Sequence, residues 1–428
     1  MQHHPAIRRR LALRALVPAL LLAALPSIAR AGETEPWVVN TAEDLPNPSI
    51  SQPKIDVDPF TLGDQITLRA AVMKANHDLG PDTIIVPDGL WKLTLKGDDE
   101  DDAETGDLDV TDDLTIIGTP ADPATGADGT LIDGKKLKDR LFEVQPGVRL
   151  TLQDLSLRSG KAPKAESGGA VRVLGGLVMD RVIVTKCKST LDGGAIDATS
   201  SASVLTLTDV FFFKNNATGD GGAIHAAGGF TEITRGTFQK NHAGSEGGAL
   251  EITAALATLT NVTLNANSAK TDGGAMLIRN GTVLTLVNVT SSANTCKETS
   301  GLSSVFDFLT ETNNTVLARN VIFDDKGERN FNGPLIVSLG GNLDSGTTCK
   351  LPIAEFSSTD PHLLKLGYFG GFTPTCPVDV DSPAIDAGSD NGSPAEDQRG
   401  IPRLDIDGVG GQSVKCDAGA FEFNEPAQ

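Results

Sequence analysis

The sequence predicts a right-handed parallel β-helix, an all-β solenoid with a short N-terminal capping helix and a loop-rich C-terminal module. Three observations carry that reading. The phrase Gly-Gly-Ala followed by an apolar residue returns at Gly168, Gly193, Gly221, Gly247 and Gly273, at steps of 25, 28, 26 and 26 residues, and a fixed period of that length marks a repeat architecture. A second phrase keeps step with it, ending at Cys187, Asn216, Asn241, Asn267 and Asn294. Between the phrases apolar residues alternate with a period of two, as in Val171-Arg172-Val173, Leu205-Thr206-Leu207 and Val262-Thr263-Leu264. That is strand spacing, and the Thr and β-branched content agrees with it.

Each repeat then makes one coil of about three strands, stacked at ~4.8 Å on the next. Glycine permits a turn with positive φ and leaves no side chain to obstruct the neighbouring coil. The Asn column is expected to form an amide ladder. Val171, Ile196, Ile224, Leu250 and Met276 face the core, so Arg172, Asp197, His225, Glu251 and Leu277 occupy the outer face on successive coils. His225 falls between two carboxylates, which should raise its pKa. Asp197, His225 and Glu251 are thereby the candidate binding residues, with an ion-paired column as the plainer alternative.

In chain order, residues 1–31 read as an export signal. Arg8, Arg9, Arg10 and Arg14 precede the apolar run Ala15 to Leu25, and Ala29-Arg30-Ala31 offers small residues for cleavage. The run is shorter than the ~18 residues a membrane span needs, so the expected mature chain has no transmembrane segment. Residues 32–81 form an expected cap: a strand near Trp37 to Thr41, a Pro-rich loop, and an amphipathic helix with Thr67 as N-cap and Leu68, Ala71, Val72 and Ala75 on one face. An open solenoid end needs such a cover. The β-helix is expected over 82–340, in about ten coils. The acidic run Asp98 to Asp102 reads as a solvated loop that could alternatively take calcium. From 341 to 428 the sequence turns to loops rich in Asp, Pro and Gly.

Three stretches resemble known families. Val38-Val39-Asn40-Thr41, Thr67-Leu68-Arg69-Ala70-Ala71, Asp82-Thr83-Ile84 and Gly106-Asp107-Leu108-Asp109-Val110 resemble the CSLREA domain that opens many exported bacterial β-helix proteins, with Ile66 and Ala70 where that family has Cys and Glu. Gly221 to Ile224 with Phe213 to Asn216 is similar to the polymorphic outer membrane protein repeat. Ser382-Pro383-Ala384-Ile385-Asp386-Ala387-Gly388, Asp397-Gln398-Arg399-Gly400 and Asp417 to Glu422 resemble the choice-of-anchor Q domain. Together these imply an exported protein, secreted or held at the outer surface of a bacterial cell.

Composition narrows the chemistry. A formal charge of −20 disfavours nucleic acid, whose phosphates would be repelled. Asp192, Asp220, Glu246 and Asp272 each precede a Gly-Gly pair and should stack as a like-charged column that a cation such as Ca²⁺ could relieve. Asp405 and Asp407, in Asp405-Ile406-Asp407-Gly408, resemble half of a calcium loop. A polysaccharide lyase would need a basic residue beside such acids, yet Lys186 and Lys240 fall at the Asn corner. No nucleophile elbow, phosphate loop or zinc spacing is present. Five cysteines raise the disulfide question. Cys187 and Cys296 lie about four coils apart, too far to bridge, and one bridge is expected among Cys349, Cys376 and Cys416. The expected function is a non-catalytic surface or secreted protein that binds glycans or other cell-surface components; the alternative is a carbohydrate-active enzyme, lyase or hydrolase, working on an exposed strand face.

Overall fold

A computed structural model describes residues 35–97, 101–122, 126–297, 304–307, 313–325, 329–333, 336–403 and 415–423. The export signal, Asp98 to Glu100 of the acidic run, and Asp405 and Asp407 lie outside the described residues.

The chain is a parallel β-helix. Every pairing between its named strands is parallel, and they collect into sheets of seventeen, nine and five strands, the five-stranded one confined to the coils from Lys188–Ser189 to Thr295–Cys296. From Asp82–Ile85 to Val337–Ser338 the register of the long sheet passes through ten successive rungs. Its typical members, such as Gly176–Thr185, Val204–Phe213 and Leu256–Asn265, are ten residues long and bend in the middle. The bend residue has positive φ on each coil: Asp154, Arg181, Asp209, Arg235, Asn261 and Asn288. The first four alternate in sign, and each arginine forks onto the aspartate one coil away, Arg181 onto Asp154 and Arg235 onto Asp209 at 2.5–2.9 Å.

The glycine phrase works at two places. The first glycine of each pair turns the chain with φ between +59° and +74°, and the second lies against the next coil, where a Cβ on Gly222 would sit 2.1 Å from the Gly248 carbonyl oxygen. Apolar residues after the turn are fully buried, Ile196, Ile224, Leu250 and Met276 among them.

The amide ladder runs from Asn215 through Asn241, Asn267 and Asn294. Each side-chain carbonyl accepts the backbone N–H of the previous member, and each NH₂ donates to the next carbonyl at 2.9–3.1 Å. Asn215 takes the place that the repeat phrase had given to Asn216. Phe212 stacks on Phe238 in the core with centroids 4.9 Å apart, and this pairing sets the register one residue earlier. Asn216 instead pairs with Lys188 and His242 in the five-stranded sheet. Cys187 donates its N–H to Asn215 at one end, and Asp325 receives Asn294 at the other.

The helix Leu68–His77 (α1) begins at Thr67, whose hydroxyl accepts the Ala70 N–H. Its residues Ala70, Ala71 and Val72 join the same apolar core as Ile84 and Leu108. Arg69 is fully buried too, paired with Asp44 at 2.7 Å and donating to the carbonyls of Ala103, Gly106 and Asp107. At the other end the chain turns back along the side of the coils. Gln398 sits at 0% exposure, accepting from Thr263 and donating to Thr237, while Ala420 donates its N–H to Thr290. Thr237, Thr263 and Thr290 form one column of the long sheet, so the returning segment seals its outer face there.

The expected disulfide is absent. Cys349, Cys376 and Cys416 are free thiols, because they are carried to separate places: Cys349 into the main core, Cys376 beside Asn265, and Cys416 beside Asn320. Burial pushes the Cys376 thiol up to about 12 and that of Cys416 to about 11, which suppresses the reactive thiolate.

Candidate binding site

Sequence spacing placed Arg172, Asp197, His225, Glu251 and Leu277 in one outer column of the nine-stranded sheet, and the register pairs them in that order. The column is outward but covered. The glycine turn folds back over it, so that a Cβ on Gly247 would lie 3.2 Å from Glu251 Cβ and one on Gly273 3.0 Å from Leu277 Cβ. Asp197 and Glu251 are consequently buried, and Leu277 is at 0% exposure.

His225 Nδ1 lies 2.7 Å from Asp197 Oδ1 and its Nε2 3.6 Å from Glu251 Oε2. Burial disfavours the imidazolium, but the hydrogen bond to Asp197 and the charge of Glu251 outweigh it, and the pKa rises to about 9. Glu251 is raised to about 7, burial prevailing over the opposing charges of His225 and Arg279.

The acid column before the Gly-Gly pairs joins this cluster, although sequence reasoning had kept the two apart. Asp192 Oδ1 accepts the Asp220 N–H and Asp220 Oδ1 accepts the Glu246 N–H, both at 2.8 Å. Arg279 reaches across, with Nε 3.2 Å from Glu251, Nη2 3.6 Å from Asp220, and an ion pair to Glu246. Backbone N–H groups and one guanidinium thus answer the negative charge, and among the described residues no cluster has the arrangement of a metal site. Asp272, on the following coil, is half-buried. Arg279 was missed by the sequence reading; its signal was its place two residues beyond Leu277, on the same outer face. With the imidazolium of His225 between Asp197 and Glu251 and the Arg279 guanidinium beside them, the cluster is an ion-paired column in which opposite charges offset one another.

A cleft opens elsewhere, at the amide corner. Its floor is the in-register column Gln239, Asn265, Ser292 and Asp324, and its wall is Leu363 to Leu366 of the returning C-terminal segment. It has a volume of about 560 Å³, with Lys240 and Lys365 at its sides. Amide and hydroxyl groups set beside aliphatic carbon suit a ligand that offers both polar edges and apolar faces.

Residues 209–227, which span the bend, the ladder residue Asn215, the glycine turn and His225, match the Chlamydia polymorphic membrane protein repeat. That family is associated with the outer membrane and cell surface, which is compatible with a surface location for this chain. No curated protein and no solved structure matches the sequence. Among the described residues no helix is long and apolar enough to cross a membrane.

Proposed function

We propose that this is an exported, non-catalytic β-helix protein, secreted or displayed at the bacterial surface, that binds glycan chains. The cleft at the amide corner supports the reading most directly. Gln239, Asn265 and Ser292 repeat at the coil spacing of ~4.8 Å, close to the rise of one sugar in an extended chain, and the leucine wall offers aliphatic carbon for the sugar faces. In this reading residues 1–31 direct export, 32–81 form a CSLREA-like cap, and 341–428 form a choice-of-anchor Q-like module that builds one side of the cleft. A glycan array probed with the wild type and with Gln239→Ala/Leu364→Ala tests it. The wild type should retain a defined set of glycans and the double variant should lose them; equal retention by both would remove the cleft from the function. Conversion of any retained glycan by wild type but not by His225→Ala would replace binding with catalysis.

A further inference from the structure

Among the columns of this solenoid that place non-glycine residues at positive φ, two treat charge in opposite ways. At the bend of the long sheet, Asp154, Arg181, Asp209 and Arg235 alternate and pair. At the amide corner the column reads Ser159, Lys186, Lys214, Lys240, Ala266 and Ala293, all with φ between +55° and +61°. The backbone N–H groups of the three lysines bond to the next coil in turn, to Phe213, Gln239 and Asn265 at 3.1 Å, so the residues stack directly. All three side chains are exposed, and among the described residues none forms an ion pair. Lys161 and Lys188, also exposed, are brought side by side by a parallel backbone β-bridge. Like charges ~4.8 Å apart at their Cα atoms repel, and lysine gains nothing from the left-handed conformation that asparagine or glycine adopts more readily. In a chain of net charge −20, an unanswered basic row at a conformationally costly position calls for an anion from outside.

We propose that Lys186, Lys214 and Lys240 form an anion-binding track that extends the cleft toward the N-terminal coils and takes the carboxylates of an acidic polysaccharide. This deepens, and rests on, the saccharide reading of the cleft. Lys240 belongs to both, and Lys365 continues the positive charge on the opposite wall. Lys214 lies over the Phe213 ring, 4.7 Å from its centroid, which fixes one cation of the row in place. The track is one cation per coil, matched to one charged sugar per residue of an extended uronate chain. Duplex nucleic acid presents a phosphate every ~3.4 Å of each strand and would fall out of step, besides meeting the acidic remainder of the surface.

The test uses the full chain, polygalacturonate, its fully methyl-esterified form, and single- and double-stranded DNA. Lys186→Asn/Lys214→Asn removes two charges outside the cleft while suiting the backbone, so it should fold at least as well as wild type; Lys186→Arg/Lys214→Arg keeps the charge. Wild type and the Arg variant should bind polygalacturonate in a salt-dependent manner. The Asn variant should bind it roughly tenfold more weakly at low ionic strength and bind the ester unchanged. Equal affinity of wild type for acid and ester, or an Asn variant as tight as wild type on the acid, overturns the track while leaving the cleft. Binding of the acid but not the ester overturns the cleft reading and leaves the track. Tighter binding to DNA than to polygalacturonate overturns the choice of ligand.

Discussion

Gly221 shows how narrowly the turn is specified at the scale of one residue. Its φ is +62°, and a Cβ there would sit 2.4 Å from the Ile224 carbonyl oxygen. Gly221→Val combines a β-branched side chain with that conformation and that clash, so it should cost a few kcal/mol; an unchanged thermal midpoint would refute the assignment. Asn241 serves four bonds, accepting from the backbone and side-chain nitrogens of Asn215 and donating to Phe212 and Asn267. Asn241→Leu leaves the Asn215 donors unanswered in the core and should destabilise by about 2–3 kcal/mol. Denaturant unfolding measures it, and a gain in stability would contradict the ladder. His225 titrates near 9 in the folded chain against an ordinary value of 6.5, so its stabilising contribution is complete below about pH 6.5 and lost as the pH rises through about 9. NMR titration should show the His225 pKa falling in Asp197→Asn; an unmoved pKa would mean that the 2.7 Å contact does not hold the proton.

At the scale of the element, the strands owe their length to the bend. Ten residues cross two faces of the coil because a single left-handed residue redirects the strand without ending its ladder, and Arg181 and Arg235 hold that residue through the aspartate one coil away. These pairs are half-exposed and individually weak. Arg235→Ala should therefore cost no more than about 1 kcal/mol by denaturant unfolding, whereas Arg69→Met beneath the capping helix should cost several, because it strands the buried Asp44 carboxylate. Comparable losses for the two would mean that the α1 contact is not sealed from water.

For the whole molecule, buried carboxyls set the pH response. Burial raises Asp107, Glu251 and Asp325 to about 7, and burial beside one another raises Asp417 and Glu422 as well. Above their unfolded values near 4 the unfolded chain releases these protons first, so stability falls as the pH climbs from about 4 to 7. The loss from His225 follows at higher pH, and the net charge of −20 adds self-repulsion in the same direction. Thermal unfolding should give a higher midpoint at pH 5 than at pH 8. A lower midpoint at pH 5 would show that these groups remain solvated in the folded chain.

The sequence by itself determined the coil. The period of 25 to 28 residues, the two-residue alternation and the glycine pairs are local properties repeated many times, and repetition leaves a single register in which apolar residues all face inward. It therefore placed Asp197, His225 and Glu251 in one column. Tertiary structure alone decided what closes over that column, because the burial under the glycine turns and the reach of the Arg279 guanidinium to Glu246 and Asp220 are set by how successive coils stack. It also decided which of two adjacent asparagines enters the ladder, since only the stacking of Phe212 on Phe238 distinguishes them. The separation of the three C-terminal cysteines and the course of residues 361–403 and 415–423 along the long sheet depend on single contacts between residues far apart in the chain, such as Thr263 to Gln398. Contacts of that kind occur once and have no period, so no pattern in the sequence announces them. The cleft lies where those unrepeated contacts meet the repeated ladder, and it was invisible until the chain was folded.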